Sequence, residues 1–169
     1  ALRDQAAVAL SGGRVALVGG NSGCAMAPTA VGAAWIVDAT PLSAGAILDL
    51  RPLNDPRFGA AVAAAEAGGL EYVLAAGGTG VGGALATIEY LSLDRPTFAR
   101  SAVSLAAGVA GALALRVGGS RVLVAGGTDD AGLGHRETLL YDPNLGGRSI
   151  PIDPLPAALR PPSNFEHRS

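Results

Sequence analysis

The chain carries the same pattern of β-prone runs and paired glycines three times, and this repeat constrains its fold more than any other feature. Each copy has an apolar run, a glycine turn, a second apolar run and then two glycines. The pairs are Gly19-Gly20, Gly77-Gly78 and Gly126-Gly127, spaced by 58 and 49 residues. Glycine lets neighbouring backbones approach closely and take positive φ. Because the pair recurs in step with the strands, the sequence predicts a repeat protein built from small β-sheets.

Two more strands are predicted downstream of each glycine pair. The third strand ends in an aspartate with a proline soon after, at residues 35–38 with Pro41, 90–94 with Pro96 and 139–142 with Pro143. Aspartate and proline favour turns, since aspartate caps its own backbone and proline cannot donate to a ladder. The fourth strands are predicted at 46–50, 99–103 and 149–152. Each copy therefore supplies four strands.

The three copies resemble the kelch motif, in which a diglycine ends the second strand and a Tyr-Asp turn follows the third. Kelch repeats run at about 50 residues and form four-stranded blades. The third copy, with Tyr141-Asp142, matches best; the first two lack this tyrosine, and all three lack the tryptophan usual in the fourth strand. The resemblance implies an all-β, kelch-type β-propeller with three four-stranded antiparallel blades that form part of a larger ring. Each blade's first strand is expected to line the channel.

The expected blades span residues 3–54, 56–105 and 107–160, and residues 161–169 are expected to lead into a further blade. Closed propellers have about four to eight blades, so an arc of three leaves two blade faces without a neighbour. The favoured interpretation is a partial propeller whose remaining blades belong to the same precursor or to another chain. Two alternatives are a six-bladed ring of two copies and an open fibre of arcs joined end to end.

Loops on one propeller face are the expected binding site, because a rigid ring holds such loops in register. The loops after the second strands should gather there with the segments that connect successive blades. The candidate binding residues are Asn21, Ser22, Arg57, Thr79, Asp129, Asp130, His135 and Arg136. The six paired glycines are predicted to be structural. No catalytic residue, metal ligand or cofactor is predicted.

Three motifs resemble parts of known active or binding sites. Residues 78–83 read G-x-G-x-x-G, but the following residues are β-prone, and a dinucleotide site needs a helix there, so a flexible loop is preferred. Residues 128–137 contain Asp129, Asp130 and His135, yet their spacing matches no metal-ligand pattern, and solvated loop charge is preferred. Residues 20–24 lack the G-x-S-x-G of a nucleophile turn. None of the three supports an active site.

Composition excludes several partners. All twelve basic residues are arginine, scattered along a chain of net charge −2, which argues against nucleic-acid binding. The absence of lysine, with abundant alanine, glycine and proline, is typical of a GC-rich and bacterial genome.

Residues 101–115 are apolar but shorter than the roughly 20 that a membrane helix needs, so they are predicted to form two short buried strands and a turn. Cys24 is predicted to be a free thiol, with a bond to another chain as the alternative.

The leading functional hypothesis is a non-catalytic binding or scaffold module that recognises a protein or a glycan. One alternative comes from the resemblance: galactose-oxidase-like enzymes carry kelch blades and bind copper through tyrosine and histidine. Under that hypothesis the chain is a fragment of a secreted carbohydrate-active enzyme. The other alternative is a structural subunit of a larger assembly or fibre. The family resemblance also implies an extracytoplasmic location, at the cell surface or secreted.

Overall fold

The structure, a computed structural model, describes residues 2–40, 46–145 and 148–152, with side chains up to residue 145. Within these residues the chain forms β-strands and two short 3-10 turns, and no α-helix. The strands are grouped into three four-stranded sheets and one two-stranded ribbon. We call the three large sheets A, B and C, in chain order.

The strands follow one another along the chain in the same way in each sheet. Sheet A consists of β1 (Ala6–Ala9), β2 (Arg14–Val18), β3 (Ala34–Asp38) and β4 (Ala46–Leu50). Next come β5 (Ala61–Ala67) and β6 (Leu70–Ala76), the ribbon strands β7 (Thr79–Gly80) and β8 (Gly83–Ala84), and then β9 (Thr87–Ser92) and β10 (Ala99–Ser104). Sheet B contains these strands without the ribbon. Sheet C consists of β11 (Leu113–Arg116), β12 (Val122–Ala125), β13 (Thr138–Asp142) and β14 (Arg148–Ile152).

Every pair of neighbouring strands is antiparallel, and each sheet keeps the order of the chain from its first strand to its fourth. The predicted all-β class with antiparallel four-stranded sheets is therefore confirmed. The strand predicted at 90–94 lies instead at Thr87–Ser92, because the chain turns where Ser92 donates a hydrogen bond to Asp94. Pro41 and residues 153–169, which include the end of the third predicted blade and the whole lead-in, lie outside the described residues.

Glycine allows the tight turns and close approaches in this fold. Gly68 and Gly69 (φ +59° and +77°) form the two-residue turn between β5 and β6, a conformation that requires positive φ at both positions. At the end of β6, a Cβ on Gly77 would lie 2.4 Å from the carbonyl oxygen of Val109. The diglycine thus lets the segment between sheets B and C cross directly over a strand end.

The sheets pack face to face in a repeated arrangement. We call the face with the residue directly before the diglycine (Val18, Ala76 or Ala125) the front face, and the opposite face the back face. Strand pairing places alternate residues on alternate faces. The front of sheet A packs against the back of sheet B, burying Ala16, Val18, Ala34, Ile36, Val73, Ala75 and Leu91. The front of sheet B packs in the same way against the back of sheet C, burying Ala61, Ala63, Leu74, Ala76, Ile88, Val122, Val124 and Tyr141.

Two faces have no sheet against them among the described residues. On the front of sheet C, Leu113 and Leu115 are 66% and 55% exposed. On the back of sheet A, Leu17 and Trp35 are half-buried. The prediction of two strands within residues 101–115 is confirmed. The prediction that these strands are buried is wrong, because β10 is the outermost strand of sheet B and β11 is the first strand of sheet C, whose front face has no sheet against it. No helix in the described part of the chain is long and apolar enough to cross a membrane.

Candidate functional site

The loops that follow the second strands lie at one end of the three sheets, which we call the loop end. They comprise residues 19–33, 77–86 and 126–137, and each begins with a diglycine. Each loop is bonded to the chain segment that enters or leaves its sheet. Gly20 N–H donates to Arg57 O (2.9 Å), and Gly78 N–H donates to Val109 O (2.8 Å). The sheets therefore hold the loops at fixed positions.

Loop 19–33 is organised by the side chain of Asn21. Its Oδ1 accepts hydrogen bonds from the backbone N–H groups of Gly23 (2.9 Å) and Thr29 (2.8 Å), which closes the loop into a hairpin. Asn21 itself is buried. The tip of the hairpin carries Met26 and the free thiol of Cys24, both exposed. Cys24 is therefore an exposed loop residue, and the choice between a free thiol and a bond to another chain stays a prediction.

Loop 77–86 contains the G-x-G-x-x-G sequence and folds as the ribbon β7–β8 rather than as an irregular loop. Thr79 pairs with Ala84 and Gly80 with Gly83. Strand β9 follows, where a dinucleotide-binding turn would require a helix. The ribbon's tip presents Val81, which is 93% exposed.

Loop 126–137 is tied together by Asp129. Its Oδ1 accepts hydrogen bonds from the N–H groups of Ala131 (3.0 Å) and Leu133 (2.9 Å), and its Oδ2 lies 3.1 Å from His135 Nε2. The contact with His135, helped by the two backbone N–H groups, lowers the pKa of Asp129 below its usual value. The Asp129 carboxylate therefore serves first to hold the loop closed.

Asp130 connects this loop to its neighbour. Its Oδ1 accepts a hydrogen bond from Ala84 N–H (2.8 Å) on the ribbon β7–β8. A Cβ at Gly83 would collide with this carboxylate, at 2.3 Å from Oδ2, so the contact requires glycine there. The hydrogen bond from Ala84 N–H to Asp130 thus joins two of the three loops.

Arg57 lies beneath the loop end rather than on its surface. Its side chain is fully buried, and its guanidinium donates to Glu89 Oε1 (2.5 Å) and to Gly77 O (2.9 Å). Burial lowers the pKa of Arg57, while the Glu89 carboxylate opposes that effect. Glu89, also fully buried, accepts further hydrogen bonds from Asn54 and Asp55. This network joins the segment between sheets A and B to β9.

The candidate binding residues therefore fall into three groups. Three are exposed at the loop end: Ser22, Asp130 and Arg136. Three are half-buried: Thr79, Asp129 and His135. Two are buried and hold the framework: Asn21 and Arg57. No group of three or more His, Cys, Asp and Glu side chains within the described ranges is arranged to hold a metal ion.

Sequence reasoning missed the apolar residues of these loops. Met26, Val81 and Leu133 are 96%, 93% and 65% exposed, one in each of the three loops. Each lies in a stretch rich in small residues, and only its distance from the diglycine could have placed it in the loop rather than in a strand. Each of the three loops thus presents one large apolar side chain to solvent at the loop end.

The comparisons with known proteins concern the fold. No protein-family model and no curated protein matches the chain. Among solved structures 135 chains match, and one of them is the structure of YjhT, with a TM-score of 0.64 and 17% sequence identity. The match covers 82% of this chain and 42% of the YjhT chain. The chain thus spans less than half the length of that protein and shares with it an arrangement of β-sheets.

Proposed function

We propose that sheets A, B and C are consecutive blades of a kelch-type β-propeller, and that the chain is a non-catalytic binding module whose loop end contacts a protein. The blades are then residues 3–54, 56–105 and 107–160, with 161–169 leading into the next blade. The proposal assigns the unpartnered front of sheet C and back of sheet A to contacts with further blades. Those blades come from the same precursor or from a second copy of the chain.

The repeated front-to-back packing is the observation that carries this proposal. The A–B and B–C interfaces use the same two faces in the same direction, as neighbouring blades of a ring do. The first strands also come together: β5 lies against both β1 and β11, and all three contribute to one cavity of about 500 Å³. First strands around a common space are the arrangement expected around a propeller channel.

The size of the purified chain in solution tests the blade proposal. A single copy has a mass of 16.6 kDa. We expect light scattering to detect self-association that depends on concentration, because both unpartnered faces are apolar. Replacing Leu113 and Leu115 with glutamate should reduce that association, while the same change at Val81, away from these faces, should not. A chain that remains monomeric at high concentration, with both faces in water, would contradict the proposal.

The apolar residues of the loops favour a protein as the partner at the loop end. Exposed apolar side chains surrounded by polar groups are typical of the anchoring positions of protein interfaces. Here Met26, Val81 and Leu133 are accompanied by Ser22, Asp130 and Arg136. A carbohydrate surface would offer these apolar side chains much less to bury.

A displayed peptide library and a glycan array, both probed with the purified chain, distinguish the two kinds of partner. We expect peptides to be enriched, and their affinity to fall at least tenfold when Met26, Val81 and Leu133 are changed to serine. Replacing Asp129, Asp130 and His135 together should also weaken binding, with circular dichroism reporting the fold. Glycan binding that the same substitutions abolish, without any peptide enrichment, would reassign the site to carbohydrate.

A further inference from the structure

A repeated backbone hydrogen bond joins each sheet to the segment that enters the next one. Gly20 N–H donates to Arg57 O (2.9 Å) between sheets A and B, and Gly78 N–H donates to Val109 O (2.8 Å) between sheets B and C. Gly127 is the third glycine of this series, and its N–H has no acceptor among the described residues. Sheet C therefore presents an unused donor where a following segment would bind.

Residues 2–4, which enter sheet A, present the matching acceptor. In every sheet one residue of the entering segment pairs with the loop of its own sheet: Arg3 with Asn21, Phe58 with Thr79, and Ala110 with Thr128. The residue before each of these is the acceptor position, held by Leu2, Arg57 and Val109 in turn. Arg57 and Val109 are bonded to a glycine pair, whereas the carbonyl of Leu2 accepts no hydrogen bond from the rest of the described chain.

A second hydrogen bond runs from each entering segment to the one before it. Gly111 N–H donates to Gly59 O (3.0 Å), and Gly59 N–H donates to Asp4 O (3.1 Å). The carbonyl of Gly111 and the N–H of Asp4 end this series, and neither has a backbone partner within the described ranges. The two ends of the three-sheet arc thus hold complementary halves of both repeated hydrogen bonds.

Residues 2–4 already have the backbone conformation of a segment that binds a preceding sheet. Asp4, Gly59 and Gly111 have φ of +55°, +62° and +67°. Asp4 is the one residue other than glycine with positive φ in the described part of the chain, and a side chain disfavours this conformation. The conformation is therefore kept at sheet A although no described sheet precedes it.

The open faces of sheets A and C complement each other in side-chain size. Neighbouring sheets place their first strands together, β1 against β5 and β5 against β11. Repeating that contact after sheet C would bring Leu113 and Leu115, on the front of β11, against the back of another β1. The back of β1 carries Ala7 and Ala9, both exposed. Leucines facing alanines can pack closely without a void, which large side chains on both faces could not do.

We propose that a second copy of this chain completes the ring: the back of its sheet A packs on the front of sheet C, and its Leu2 carbonyl accepts the Gly127 N–H. The inference rests on the proposed function, since it takes the three sheets as propeller blades. Two copies supply six blades, within the range of about four to eight in closed propellers, whereas three copies would supply nine. Each copy gives its front to the other and receives the other's front on its back, so the contact closes instead of extending into a fibre.

Two blocked variants test the front-to-back pairing. One carries Leu113→Glu and Leu115→Glu on the front of sheet C, and the other carries Ala7→Glu and Ala9→Glu on the back of sheet A. We expect native mass spectrometry of the unchanged chain to show one discrete species of twice 16.6 kDa. Each variant alone should dimerise at least tenfold more weakly, with circular dichroism reporting its fold. An equimolar mixture should regain pairs, because one intact front and one intact back remain. Val81→Glu at the loop end is the control and should dimerise normally.

Amide hydrogen exchange at the glycine pairs tests the register of the contact. The N–H of Gly127 should exchange at least tenfold more slowly in the dimer than in the monomeric front-blocked variant. The N–H of Gly78, which is bonded within the chain, should be protected equally in both.

The outcomes separate this inference from the blade proposal. A ladder of sizes, pairs formed by either blocked variant alone, or a Gly127 amide that stays unprotected in the dimer would overturn the second-copy inference and leave the blades standing. Protection of Gly127 already in the monomer would overturn it as well, since another part of the chain would then occupy that place. An unchanged chain that is monomeric at every concentration would overturn both proposals.

Discussion

At the A–B interface the segment between the sheets carries Arg57, and the third strand of sheet B carries Glu89 facing it. At the B–C interface the equivalent positions hold Val109 and Leu139. The carbonyl oxygen of Val109 accepts a hydrogen bond from the preceding diglycine, as the carbonyl oxygen of Arg57 does. A buried ion pair and two aliphatic residues thus occupy the same places in one repeated backbone. The comparison teaches that the diglycine and strand pairing determine the packing, while the chemistry between the sheets is free to vary.

Removing Arg57 should have the largest effect, because it leaves the buried side chain of Glu89 without its partner. We expect Arg57→Ala to lower the free energy of unfolding by about 3–5 kcal/mol, measured by denaturation with urea. The paired change Arg57→Val with Glu89→Leu gives the A–B interface the residue types of the B–C interface. It should cost less than the sum of the single changes. Additive costs would show that the two side chains do not act as a pair.

Adding a methyl group to the first glycine of a pair should cause the second-largest loss of stability. Gly77→Ala places a Cβ against the carbonyl oxygen of Val109 and also strains a backbone with φ of +61°, so we expect a cost of about 2–4 kcal/mol. Gly126 has the same kind of φ (+71°), but the nearest atom of the described residues, His135 O, is 3.8 Å from the Cβ position. Gly126→Ala should therefore cost only about 1–2 kcal/mol. An equally large cost at Gly126 would indicate that a further connecting segment covers it.

The sequence predicted this shared framework because the relevant signals are local. Alternating apolar runs, glycine pairs and Asp-Pro turns each act within a few residues, and they placed the third and fourth strands of each large sheet within about three residues of their observed bounds. The positions of these strands along the chain were therefore well predicted.

The sequence did not predict what lies between the sheets, because those contacts join distant parts of the chain. Arg57 and Glu89 are 32 residues apart. Tyr141 meets Tyr90 only because two sheets pack together, and sequence reasoning treated Tyr141 mainly as a marker of the kelch turn. Arg57 was expected on the binding surface because it lies in a connecting segment, yet burial of that segment makes it part of the framework. Local patterns cannot distinguish these outcomes.

A fall in pH should destabilise the A–B interface before it destabilises the B–C interface. Asp55 accepts hydrogen bonds from Arg100, and this contact holds the pKa of Asp55 below its usual value of 3.8. A lowered pKa in the folded state means that the contribution to stability is complete above the unfolded-state pKa and is lost as the pH falls through the folded-state pKa. The position equivalent to Asp55 at the B–C interface is Ala107, which cannot ionise.

Thermal unfolding between pH 7 and pH 3 measures this contribution. We expect Asp55→Asn to lower the Tm by about 1–3 °C at pH 7, and this difference should shrink as the pH falls below the unfolded-state pKa towards the lowered folded-state pKa. Ala107→Asn, at the equivalent place, serves as the control and should show no dependence on pH. A Tm difference for Asp55→Asn that stays the same from pH 7 to pH 3 would mean that the side chain acts through packing rather than charge.

The smallest effect is expected at the outer end of the A–B interface, where Arg14 and Glu71 pair at 3.1 Å and remain partly in water. Such exposed pairs contribute about 0.2–1 kcal/mol, and salt screens them. A double-mutant cycle with Arg14→Gln and Glu71→Gln should give a coupling in that range, and about 0.5 M NaCl should remove most of it. Salt should leave the Arg57–Glu89 coupling almost unchanged, since that pair is fully buried. If salt reduces both couplings equally, the Arg57–Glu89 pair is not more deeply buried than the Arg14–Glu71 pair, contrary to the structure. The contrast between a buried ion pair at the A–B interface and aliphatic residues at the B–C interface would then lose its basis.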